Sequence, residues 1–243
     1  MIFESEKFVF QPPPAVSAAR RVLIKPDVGY AAPYPVTTSR RLIASIIDGI
    51  RKVSDADIVV LDGAPNGESV LPNFRTLGYD FPRVLMLDVK DCIWVEVDNP
   101  LPKPLAVPAF WIPNVILSSD YLISVTPLKV AGGKGNLSIP NLMSLLPSKK
   151  YAEVEGGWDA LMELGIDKVI ADLYFTLPFD MGIIEAKQRL DYDEDPTGGV
   201  VKDVGKIFVG DPFQVDKEVS ETLGIRTDYL QLIRMAESGM DTI

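Results

Sequence analysis

An α/β fold, with a mostly parallel sheet and helices on both faces, is what this chain of 243 residues predicts. Three observations carry that prediction. Short runs of consecutive apolar residues, "VLIK", "DIVVLD" and "RVLMLD", read as strands buried on both faces. The intervening "SRRLIASIIDGIRKV" repeats its apolar residues at three- and four-residue steps, the period of a helix. Strand, helix, strand order of this kind marks parallel crossover units.

The elements follow in order. Residues 1–19, with the prolines of Gln11 to Pro14, read as a surface arm. Val22 to Lys25 is a strand stopped by Pro26. Ser39 is placed to cap the helix that buries Leu42, Ile43, Ile46, Ile47 and Ile50. "DADIVVLDG" and "RVLMLD" are the next strands. Cys92 to Val97 reads as an edge strand, because proline crowds the sequence beyond it. Residues 98–113 read as an extended proline-rich connection, and "DYLISVTPLK" returns to strand. "GIDKVIADLYF" reads as a helix end plus a strand that cannot be separated. "LDYDEDPTGGVVKD" is a polar loop, "DVGKIFVGD" a late strand, and "DPFQVDKEVSETLGI" and "TDYLQLIRMAESG" two closing helices. The whole chain is expected to form a single domain over 1–243.

Composition narrows the function classes. The formal charge is −10 and no basic run exceeds two residues, which argues against nucleic-acid binding. There is no window of about 18 apolar residues, so no membrane span is expected, and the charged start lacks a secretory pattern. A cytoplasmic location is the expectation. The chain holds one cysteine, Cys92, which excludes an iron–sulfur cluster held by its own four thiolates. Cys92 itself and the tryptophans Trp94, Trp111 and Trp158 read as packing residues. Histidine is absent, which removes the commonest general base and transition-metal ligand.

Several strands end in a polar residue: Lys25, Asp62, Lys129 and Asp211. Ligands of open α/β sheets bind outside the carboxyl ends of parallel strands, so these four are expected to rim one crevice. "KVAGGKGNLSIPNLMSLLP" then reads as a glycine loop, Gly132, Gly133 and Gly135 with Lys134, opening an amphipathic helix at Ser138 and Pro140. A helix start behind such a loop suits a phosphate or carboxylate. A plain glycine turn with solvated lysines is the other reading. The glycine spacing matches neither a P-loop nor a dinucleotide fingerprint. Asp62 or Asp211 is a candidate to hold a divalent cation or act as a base. Asp211 also fits as a helix cap, with Pro212 and Gln214 behind it. Asp191, Asp193, Glu194 and Asp195 form an acidic run, but Pro196 and Lys202 occupy positions where a calcium loop needs Gly and Glu. Tyr30 and Tyr34 follow the Lys25 strand and either line the crevice or cover it.

Taken together, four segments resemble the domain-of-unknown-function 362 family. They are "VLIKPDVGYAAPYPVTTS", "DYLISVTPLKVAGGKGNLSIPNLMSLLP", "DEDPTGG" and "IFVGDPFQVDKEVSETLGI", in the family's order over about residues 20 to 238. The resemblance implies functional positions at Lys25, Lys129, Asn141, Asp211 and Asp216. The departures are specific. Lys129-Val130-Ala131 replaces a Lys-Thr-His pattern, Pro140-Asn141-Leu142 replaces Lys-Asn-Leu, and Asp27 stands where Asn is usual. The family is related in fold to nickel-dependent lactate racemase, whose chemistry relies on histidines; many relatives carry ferredoxin-type cysteines. Neither set exists here, so neither chemistry is carried over. Two functions are expected. One is binding of a small anionic metabolite at the strand ends, with or without a divalent cation. The other is a non-catalytic scaffold or subunit that meets a protein partner or another copy of itself.

Overall fold

Hydrophobic alternation places the two faces of the central sheet. In a computed structural model, which describes residues 1–64, 66–152 and 157–240, Val22 and Ile24 enter one apolar core and Leu23 the other. The strands are β1 (Ile2–Glu4), β2 (Arg21–Lys25), β3 (Asp57–Asp62), β4 (Val84–Asp88), β5 (Trp94–Asp98), β6 (Ala109–Pro113), β7 (Tyr121–Ala131), β8 (Lys134–Asn136), β9 (Met181–Tyr192) and β10 (Val200–Gly210). The helices are α1 (Pro14–Ala18), α2 (Arg40–Arg51), α3 (Leu71–Thr76), α4 (Asn114–Leu117), α5 (Ser148–Ala152), α6 (Gly157–Glu163), α7 (Ile166–Thr176), α8 (Pro212–Leu223) and α9 (Asp228–Met240).

The main sheet runs β1-β10-β9-β7-β2-β3-β4, with β8 paired to β7. Strands β9, β7, β2, β3 and β4 are mutually parallel, while β10 is antiparallel to both of its neighbours. Helix α2 packs its Leu42, Ile43, Ile46, Ile47 and Ile50 into one core. Val169 and Leu173 of α7 and Phe110 and Ile112 of β6 fill the other. The caps expected at Ser39 and Asp211 form: Ser39 Oγ accepts from Leu42 N at 3.1 Å, and Asp211 Oδ1 accepts from Gln214 N at 3.1 Å. Among the described residues no helix is long and apolar enough to cross a membrane.

Several expectations need correction. The first residues are not a free arm: β1 pairs with β10, and Phe10 and Val16 are buried. Cys92 to Val97 is not an edge strand of the main sheet; β5 pairs with β6 in a separate two-stranded sheet, and the proline-rich segment between them is their loop. Asp172 holds that loop by accepting from Leu105 N, Ala106 N and Val107 N. "GIDKVIADLYF" is entirely helix α7, apolar on several sides because it lies between the sheet and α9. The polar loop at 190–203 is largely a long β9–β10 hairpin. Cys92 is half-buried, with its thiol pushed up to about 11 by burial and then by Asp88 and Asp91. Trp111 packs on the second core, Trp94 donates its indole N–H to Val89 O, and Trp158 lies outside the described side chains.

Candidate functional site

The order of strands reverses beside β2. From β2 the chain steps outward through β3 to β4, then returns to place β7 on the other side of β2. In an open α/β sheet such a reversal leaves a crevice at the strand ends, because the connections diverge to opposite sides. Lys25 closes β2 here, in register with Ser124 of β7, and β7 runs on to Lys129 and Ala131.

Lys25 is fully occupied. Its Nζ donates to Asp62 Oδ1 at 2.9 Å, Pro26 O at 2.7 Å and Asn141 Oδ1 at 2.7 Å, which uses all three N–H donors of an ammonium. Asp62 is equally satisfied. Besides Lys25 it accepts from Val28 N at 2.7 Å, Gly63 N at 2.9 Å and Ser144 Oγ at 2.6 Å. Burial raises the Asp62 pKa; Lys25 pulls it back and Asp27 pushes it up again. Asn141 passes the network on by donating to Ser124 Oγ, which donates to Ser138 O. Ser138 donates both N–H and Oγ–H to Asp216 Oδ1, and Tyr229 donates to Oδ2 of the same carboxylate. Burial pushes Asp216 up to about 6 against these hydrogen bonds. Lys25, Asp62, Asn141 and Asp216 therefore belong to one buried polar network across the sheet.

Lys129 differs. It is 3% exposed, and its Nζ has one partner among the described residues, Asp27 Oδ2 at 2.5 Å. Burial alone would lower its pKa; the Asp27 charge and hydrogen bond, aided by Tyr192 and Tyr30, leave it raised. Asp27 is held by its backbone, donating N–H to Thr38 Oγ1 and accepting from Thr38 N. A crevice of about 200 Å³ opens over this pair, walled by Lys25, Tyr30, Asp62, Asn136, Ser144 and Tyr192 among others. Burial raises the Tyr192 pKa, with Lys129 opposing, so its phenol stays neutral.

The other expected residues lie elsewhere. Gly132 and Gly133, at φ 53° and 83°, form the tight turn of the β7–β8 hairpin, so the glycine loop does not open a helix. The segment Pro140–Leu145 is a 3-10 turn, with Ser138 serving Asp216 instead of a helix cap. Lys134 faces Asp167 at 2.6 Å and Asp228 at 3.5 Å, and a Cβ on Gly135 would meet Ile225 at 2.8 Å. Asp211 misses the crevice because β10 runs antiparallel: its final residue Gly210 stands beside Gly182, near the start of β9. Tyr34 lies away from the crevice, its hydroxyl accepting from Gln188 N at the β9 irregularity. Asp191 is taken by Arg189 and Lys202, and Asp195 caps a short turn through Thr197 N. Among the described residues no group of three or more His, Cys, Asp or Glu side chains is placed to hold a metal. Sequence reasoning missed Asp27, Asn136, Ser144 and Tyr192. Only Asp27 carried a signal, two residues beyond a strand-ending lysine.

Comparisons agree with this fold. The apoprotein of lactate racemase from Thermoanaerobacterium thermosaccharolyticum shares the fold, with a TM-score of 0.55 at 12% identity over 90% of this chain and 53% of that one. The chain thus spans about half the length of that structure. No curated protein sequence matches it. The model of the family described as "Domain of unknown function (DUF362)" matches residues 22–221, and the chain belongs to that family.

Proposed function

We propose that the chain binds a small anionic metabolite, carrying a carboxylate or phosphate, in the crevice between the ends of β2 and β7. The observation that carries this reading is Lys129: a buried ammonium with one protein partner, lining a cavity at the strand reversal. An ammonium has three donors, so two remain for a ligand. Neither Tyr30 nor Tyr192 has a hydroxyl partner within the described chain, and both line the crevice. Their hydroxyls add donors at its mouth. The volume suits about seven water molecules, at roughly 30 Å³ each, so the ligand is a metabolite and not a polymer segment. Lys25 and Asp62 build the floor and do not touch the ligand.

A scaffold role would need apolar surface for a partner, and the proline-rich segment withholds it: its Leu101, Val107, Phe110 and Ile112 are buried within this chain.

Thermal-shift titration with inorganic phosphate, acetate and glycolate, on wild type and Lys129→Ala, tests the proposal. A ligand at about a hundredfold its Kd stabilises by roughly 2.7 kcal/mol. A shift in wild type that is lost in the variant supports the reading. Equal shifts in both proteins, or none in either, would overturn it.

A further inference from the structure

We infer that Asp27 is a charge filter that restricts the crevice to monoanions, so that the ligand is a small monocarboxylate and not a phosphate or dicarboxylate. This rests on the binding site proposed above and narrows its ligand class.

Charge balance sets what the crevice accepts. Two cations, Lys25 and Lys129, and two carboxylates, Asp62 and Asp27, meet at the crevice, each cation on its own carboxylate. The four charges cancel. All four residues are buried: Lys25 1%, Asp62 1%, Lys129 3% and Asp27 8% exposed. Away from water an uncompensated charge is costly, and each further negative charge costs more than the one before. A ligand entering here shares the Lys129 ammonium with Asp27, whose carboxylate stays within 2.5 Å of it. One negative charge can be met by the two remaining Lys129 donors and the Tyr30 and Tyr192 hydroxyls. A second negative charge would face Asp27 and Asp62 with no cation left for it. Lys134, Arg189 and Lys202 supply none: they do not line the crevice, and they face Asp167, Asp228 and Asp191.

Asp27 is positioned by its backbone bonds to Thr38, while its carboxylate compensates the buried Lys129. Asp27→Asn keeps those bonds and an oxygen that can accept from Lys129, while removing one negative charge.

Isothermal titration at pH 8.5, where inorganic phosphate is almost wholly the dianion, with glycolate, inorganic phosphate and malonate tests this. Glycolate and phosphate have the same number of heavy atoms, so size does not separate them. Wild type is expected to bind glycolate at least tenfold more tightly than phosphate or malonate. Asp27→Asn is expected to gain at least tenfold for both dianions, with a smaller change for glycolate. Wild type binding the dianions as tightly as glycolate would overturn the inference, whether or not the variant folds. Anion binding lost in Lys129→Ala, but with selectivity unchanged in Asp27→Asn, would overturn the filter and leave the binding site standing. Absence of any anion binding in wild type would remove the site itself, and the filter with it.

Discussion

Lys25 and Asp62 end neighbouring parallel strands and meet at 2.9 Å, each only 1% exposed. Breaking such a pair leaves a lone charge in a dry interior, which typically costs about 3–5 kcal/mol. Asp62→Ala would also orphan Val28 N and Gly63 N. Denaturant melts of Asp62→Ala should show a loss in that range. A loss below about 1 kcal/mol, the level of an exposed pair, would mean the pair is not buried in solution.

Gly63 sits where β3 passes under the 140–145 turn. A Cβ there would meet Ser144 O at 2.5 Å and Val89 Cβ at 2.8 Å. Both are backbone or branch atoms that cannot swing aside. Gly63→Ala is expected to destabilise by about 1–3 kcal/mol and to weaken anion binding by shifting Ser144 off Asp62. Melting and titration of one variant check both effects.

Asp216 gives a pH dependence with a definite sign. Its folded pKa is raised to about 6, above its ordinary value of 3.8, so the folded state holds the proton more tightly than the unfolded chain. This contribution to stability is present below about pH 4 and is lost as pH rises toward 6. Asp216→Asn lacks it. The variant should be less stable than wild type at pH 7 by about 1–3 kcal/mol, since its amide N–H meets the donors of Ser138, Ile139 or Tyr229. The gap should widen as pH falls from 6 to 4. A gap that narrows over that range contradicts a raised pKa.

Lys129 remains protonated at neutral pH, because Asp27 outweighs the burial that would lower its pKa. An amine must lose its proton to attack a carbonyl. Reductive methylation at pH 8, read by peptide mass spectrometry, should modify the exposed Lys90 and Lys149 at least about tenfold faster than Lys129. Rapid labelling of Lys129 would instead indicate a free amine suited to covalent chemistry.

The parts of the fold visible in the sequence are those where one force dominates. Strands β2, β3 and much of β7 are buried on both faces, so they read as unbroken apolar runs; β4 reads the same way although, at the sheet edge, its Leu85 is exposed. Strand β9 was hidden because only Met181–Ala186 is continuously buried, while Lys187 to Tyr192, with Leu190 alone buried, belongs to a partly solvated hairpin with mixed polarity. Helix α7 was half mistaken for strand because burial between sheet and α9 erases its polar stripe. In the site, Lys25, Asp62, Lys129 and Asn141 were legible as polar residues at strand ends or in the family's pattern. Asp211 was misplaced because the direction of β10 is not written in its own residues. Tyr192 was illegible, since a register between β7 and β9 brings it to Ala131 across 61 positions of chain.

The central claim is that Lys129 presents its unused donors to an anion in the crevice. A crystal structure of wild type soaked with glycolate tests it most directly. The account predicts a carboxylate within hydrogen-bond distance of Lys129 Nζ, at about 2.7–2.9 Å, with the Asp27 pair retained. Glycolate bound away from the crevice, or a crevice without it at concentrations that saturate binding in solution, would contradict the account.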